Sequence, residues 1–277
     1  MAYKYQFAAS AVVAFVLLST VTACAAPDLT DYSSVRARLD PETHTIVMPL
    51  DAYSVEGRDI FLMDHANNLL IGDCMAESGL DYPRVAEDWQ TRAVMPDRTY
   101  GLWTLTWAEE YGYEIPSDET SDEISKIEEG MPESWWEAAR SCWSSYDELP
   151  VFGLFFDDEQ SPADRGFLEA SAYAAASEEW RSARDAWVDC LAEHGLKPFS
   201  DTSFTPELPE DAQAQGEIAV QDVKCKDEVG LVQKVADLQA KYEAAYIDAH
   251  EAELSAFGQE IDDLMAKAIE IIATHEG

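Results

Sequence analysis

Apolar residues along this chain form one continuous run and several helical stripes. The run, Phe7 to Leu18, carries no charge. It is shorter than the roughly 20 residues that a membrane-spanning helix needs. Further on, Ile60, Met63, Asn67, Leu70 and Cys74 fall on one face of a predicted helix. A helix around Ser134 to Tyr146 follows from the same spacing. Ser161-Pro162 marks a helix start. The stripe Tyr173, Ser177, Trp180, Arg184, Trp187 and Leu191 carries that helix to Glu193. From Glu210 to Thr274 there is no proline, and Val223, Leu231, Val235, Leu238, Tyr242, Tyr246, Leu254, Phe257, Ile261 and Leu264 keep helical spacing. This predicts one very long helix, or two broken near Gly230. Met48 to Tyr53, interrupted by Pro49, reads as an extended segment laid on the core. The acid-rich stretch from Ser117 to Gly130 reads as a solvated loop.

A short repeat organises these elements. Asp73-Cys74-Met75-Ala76-Glu77-Ser78-Gly79-Leu80 matches Asp189-Cys190-Leu191-Ala192-Glu193-His194-Gly195-Leu196 at six of eight positions. In both copies glycine stands where a helix ends in a left-handed residue. Tyr82-Pro83 and Pro198-Phe199 follow, where no helix continues. Each copy is followed by a second cysteine helix, at Cys142 and at Cys225. Pairing within each copy, Cys74 with Cys142 and Cys190 with Cys225, is the economical expectation; crossed pairing, with Cys74 joined to Cys190, is the alternative. The fold class expected is mainly α: two related disulfide-clamped helical units with a long C-terminal helix or helical hairpin.

The N-terminus supplies an address. Lys4 precedes the apolar run, and Val21-Thr22-Ala23-Cys24 resembles the lipobox of bacterial lipoproteins, with valine where leucine is commoner. That resemblance implies a leader over 1–23, acylation of Cys24, and attachment to the outer face of the cell membrane. Two acyl chains give stable anchoring. Cleavage near Ala23-Cys24-Ala25 without lipidation is the alternative. The expected organisation is then a tether over 24–44, a first clamped unit over 45–160, and a second over 161–277 that includes the long C-terminal helix. An even number of cysteines beyond Cys24 fits an oxidising compartment.

Charge narrows the partners. The chain carries 18 basic and 55 acidic residues, a net charge of −37. Nucleic-acid binding needs clustered Lys and Arg, so it is not expected. A membrane contact through the lipid, an envelope protein and a cationic ligand remain. With 47% hydrophobic residues, including 8 Trp, 12 Tyr and 10 Phe, the chain has the apolar material for real cores.

The sequence also resembles a group of uncharacterised actinobacterial lipoproteins in which a helix ending Cys-Met-x-x-x-Gly occurs twice. Cys74-Met75-Ala76-Glu77-Ser78-Gly79 carries the likeness, with Arg98-Thr99-Tyr100-Gly101, Tyr111-Gly112-Tyr113 and Asp222-Val223-Lys224-Cys225-Lys226. The second copy departs from it at Leu191. The resemblance implies a frame and an address, and brings no activity with it.

Catalytic motifs such as G-x-S-x-G, S-x-x-K and H-E-x-x-H do not occur. Zinc-ligand spacings are also lacking, so no cofactor and no metal are expected. His194 lies beside Cys190 on its helix, but a cysteine held in a disulfide is no nucleophile. The aromatic binding candidates are Trp103, Trp107, Trp135 and Trp136, which could stack a sugar with Glu109 or Glu110 as acid. The competing reading has these tryptophans filling the clamped cores. Asp157-Asp158-Glu159, and Asp118-Glu119 with Asp122-Glu123, offer oxygen ligands to Ca²⁺ without a ligand-spaced loop. The expected role is non-enzymatic binding or assembly in the envelope; a glycan-acting enzyme and an extracytoplasmic transporter accessory are the alternatives.

Overall fold

The computed structural model describes residues 26–55, 57–83, 95–116, 119–144 and 160–276. Among these the chain is mainly helical. A short hairpin, β1 (Arg38–Asp40) with β2 (Thr45–Val47), pairs antiparallel with Leu39 opposite Ile46. The helices are α1 (Arg58–Glu77), α2 (Leu105–Glu110), α3 (Glu119–Glu129), α4 (Glu133–Trp143), α5 (Pro162–Ala176), α6 (Glu178–Glu193), α7 (Ala212–Val229), α8 (Leu231–Ala249) and α9 (Glu251–Glu276). No helix among the described residues is long and apolar enough to cross a membrane.

The repeat is a repeat of backbone geometry. In α1, Leu80 N–H donates to Met75 O and Gly79 N–H to Ala76 O; in α6, Leu196 N–H donates to Leu191 O and Gly195 N–H to Ala192 O, all at 2.9–3.0 Å. Gly79 and Gly195 take φ of 71° and 73°. These paired bonds close the last carbonyls of each helix, and the residue after the glycine folds back onto the residue that accepts its N–H. Leu80 packs with Met75, and Leu196 with Leu191. Each cysteine sits on the turn just before its cap. The disulfides are Cys74–Cys142 and Cys190–Cys225, with Cα separations of 5.9 and 5.6 Å. Each copy therefore closes on itself. Each link removes about 4 kcal/mol of unfolded-chain entropy on the loop-closure account.

Four sequence expectations change at the level of elements. The segment from Met48 to Tyr53, expected to be extended, forms a 3₁₀ helix over Pro49–Tyr53, with Asp51 Oδ2 accepting the N–H of Met48 at 2.6 Å. The acidic stretch expected as a loop contains α3: Ile124 and Ile127 lie three apart on one side, and Asp122 precedes Lys126 by one helical turn. The helix expected to run unbroken to Glu193 stops at Ser177, whose ψ of 158° leaves helical space and whose Oγ accepts the N–H of Trp180. A serine followed by two glutamates starts a helix well enough to end the one before it. The C-terminal stretch breaks at Gly230, with φ 62° and ψ 36°, as expected, and again at His250, which stacks on Tyr246.

Helix α8 is the centre of the body. Val235, Ala236 and Ala240 join Trp187, Leu191 and Cys225 in the main cluster. Leu238 and Tyr242 face Ala170 and Ala174 of α5. Helix α9 lays Ile261, Ala268 and Ile272 along Met63, Ala66 and Leu69 of α1. Helix α4 packs Trp135 and Ala139 on the end of α1 beside the first disulfide. Helix α2 packs Trp107 and Ala108 on Ala219 and Val223 of α7. The polar stretch read as a spacer lies on the body from Leu29 onward. Leu29 packs against the α5–α8 cluster, Ala37 enters the main cluster, and Ala37 N–H donates to Asp237 Oδ1 at 3.0 Å.

Candidate binding cleft

The four tryptophans singled out by sequence fall into two separate places. Trp135 and Trp136 belong to α4, in edge contact with ring centroids 5.0 Å apart. Trp135 is buried, stacks on Tyr82, and donates its indole N–H to Asp81 O at 2.8 Å. Trp103 and Trp107 flank the start of α2. Trp103 lies in the main cluster and donates to Asp97 O at 2.9 Å. Trp107 packs against α7 and meets the edge of His44. Trp103, Trp107 and Trp135 are thus core residues, and the two pairs do not wall one groove. Glu109 and Glu110 line a separate polar hollow of about 630 Å³ between α2 and the start of α7. Its lining includes neither Trp103 nor Trp107. Asp122 is exposed. Cys24, Asp118 and Asp157-Asp158-Glu159 lie outside the described residues. His194 is exposed, with a ring nitrogen within 4.8 Å of the bonded sulfurs of Cys190 and Cys225.

A different feature organises the polar interior. On α7, Asp222 and Lys226 stand one turn apart, and both side chains have 0% exposure. Lys226 Nζ lies 2.9 Å from Asp222 Oδ2 and also donates to Leu102 O at 2.6 Å. Asp222 accepts two further bonds, from Tyr113 OH at 2.8 Å and from Trp187 Nε1 at 2.9 Å. Burial pushes the Asp222 carboxyl up and the Lys226 ammonium down; their mutual attraction and the donors on Asp222 oppose both movements. Burial next to Asp222 likewise drives the Tyr113 phenol well above its ordinary range. Gly101 is needed here. With φ 73°, it brings the backbone so close that an added Cβ would sit 2.4 Å from Phe204 O and 2.8 Å from Lys226 Nζ. The network therefore fastens the Gly101-Leu102 backbone, just before α2, and Tyr113, just after it, to α6 and α7.

Directly beside Lys226 lies a cleft of about 770 Å³, inside the size range of small-molecule sites. Three elements meet there: the turn of the β1–β2 hairpin, the start of α2, and the α7–α8 junction at Gly230. Leu39, Trp103, Leu105 and Val232 supply apolar wall; Glu42, Thr106 and Asp227 stand at the rim. His44 is the single described non-glycine residue with positive φ, at 57°. Its Nδ1 meets Thr104 Oγ1 at 2.8 Å, and its carbonyl accepts the N–H of Asp97 at 2.9 Å. Strained backbone of this kind persists where surrounding contacts fix it, and it gathers at functional sites. Partial burial raises the Asp227 carboxyl.

Sequence reasoning missed Lys226, Asp222 and His44 as site residues. A usable signal existed for the pair: acid and lysine four apart within Asp222-Val223-Lys224-Cys225-Lys226, on the same helix face as the buried cysteine's neighbours. None existed for His44, because its backbone angle depends on the hairpin turn. Comparison of the chain with protein-family models, with curated proteins and with solved structures finds no match.

Proposed function

We propose that this chain is an exported protein held by a lipid on Cys24 at the outer face of the cell membrane, and that it binds a small ligand in the cleft beside Lys226. The observation that carries the binding reading is the construction of the cleft. Its lining includes Lys226, whose side chain is held in a fully buried ion pair behind the wall, and its walls come from three elements of the fold. Rigid support under a concave, half-apolar surface is what a preorganised ligand site requires. The address is supported by the uncharged apolar run Phe7 to Leu18 after Lys4, the lipobox-like Val21-Thr22-Ala23-Cys24 and two disulfides of the kind kept in oxidising compartments. The resemblance to actinobacterial lipoproteins points the same way.

Two experiments test the two halves of the reading. Cells expressing the full chain are fed a labelled fatty acid; label should enter the wild type and be lost in Cys24→Ala, which should leave the membrane fraction. Label retained in Cys24→Ala refutes the anchor. For binding, a fragment library is screened by ligand-observed NMR against the mature chain and against Thr106→Trp. That substitution puts a bulky ring at an exposed rim position of the cleft without removing a core contact. Hits lost in Thr106→Trp support the reading, and a hit list unchanged by the substitution refutes it.

A further inference from the structure

We infer that the ligand of this cleft is an amphiphilic organic cation: a protonated amine or comparable ammonium carried on an apolar body. The inference rests on the cleft being a binding site. It follows from how charge and apolar surface are divided there. Glu42 and Asp227 stand at the rim, and neither carboxylate has a hydrogen bond or ion pair with another described side chain. The one lysine of the wall, Lys226, is bonded to Asp222 and Leu102 O and presents no charge of its own to a ligand. The field of a chain carrying −37 adds to the effect of these two carboxylates.

The apolar walls decide between kinds of cation. A metal ion wants several oxygens converging on one point. Among the described residues the ligand-spaced cluster is Cys190, His194 and Cys225, and it contains neither Glu42 nor Asp227. A bare ion would also leave Leu39, Leu105 and Val232 uncovered. An alkyl or aryl body covers them while its ammonium stays at the wet, negative rim. Trp103 lies in the same wall, and its ring is a fitting neighbour for such a body.

Calorimetric titration of the mature chain with octylammonium, octyl sulfate and calcium chloride, the amphiphiles kept below micelle-forming concentrations, separates the outcomes. Octylammonium should bind and octyl sulfate, with the same body and the opposite charge, should not. Glu42→Gln with Asp227→Asn should weaken octylammonium about tenfold or more, the scale of a lost charge-assisted contact. Thr106→Trp should abolish it. Equal binding of the two amphiphiles, or binding unaffected by the double neutralisation yet lost in Thr106→Trp, overturns the cationic class and leaves the cleft as a site. Calcium binding that displaces octylammonium overturns it in favour of a metal. Failure of both amphiphiles, together with library hits indifferent to Thr106→Trp, overturns the class and the binding reading together.

Discussion

Lys226 is among the most fully buried side chains of the molecule, yet it carries an ammonium group. Its cost is met by position: one turn from Asp222, over the face of Trp187 at 5.6 Å, and on the carbonyl of Leu102. Removing one partner strands the other. Lys226→Met should therefore lower stability by about 3–5 kcal/mol, while Asp222→Asn with Lys226→Met should cost clearly less than Lys226→Met alone, because a neutral amide still accepts from Trp187 Nε1 and reaches Tyr113 OH without leaving a buried charge. Urea unfolding of the oxidised protein reads this directly. A single substitution that costs under about 1 kcal/mol would mean the pair is not part of the folded core. Sequence told little of this at the residue scale. The tryptophans were visible, but whether a tryptophan fills a core or faces a ligand depends on what folds over it. Trp135 and Trp103 each spend the indole N–H on a backbone carbonyl from a neighbouring loop.

Helix ends were legible where glycine follows a cysteine turn, because a left-handed residue is chemically marked. They were illegible where the break needs only a change of ψ. Ser177 interrupts a stripe that runs through it without a change in apolar period, and His250 does the same between α8 and α9. Helix α3 was hidden for another reason: its acids outnumber its two isoleucines. The matched caps give a test at this scale. Alanine at Gly79 or at Gly195 meets no atom within 4 Å, so the penalty is conformational alone. Gly79→Ala and Gly195→Ala should each cost about 1–2 kcal/mol, and nearly the same amount. Gly101→Ala shares their φ but adds the approach to Phe204 O, and should cost more than either. Denaturation midpoints for the three variants check the order. If Gly101→Ala matches the two caps, the tight approach there is relieved by a backbone shift.

At the scale of the whole molecule, segments far apart in sequence are packed together. Residues from the hairpin, from the start of α2 and from the α7–α8 junction share one cleft, and α9 returns to α1. Periodicity reports which face of an element is buried, not which distant element covers it. For this reason the helical class and the disulfide frame could be read in advance and the cleft could not. Charge also acts at this scale. With −37 spread over one body, self-repulsion opposes the compact state, and added salt screens it. The melting temperature should rise by about 5 °C between 10 and 300 mM NaCl, as followed by calorimetry. A flat or falling trend would show that the acids are locally compensated. One more consequence follows from Leu29, the residue at which the chain first lies on the body. It comes five positions after Cys24, and an extended chain advances at most about 3.6 Å per residue. With acyl chains on that cysteine, the leash is no longer than about 18 Å. On the proposed anchor, a molecule moored so closely would ride just above the headgroups, and a ligand of the proposed cleft would be gathered from the layer of fluid against the bilayer.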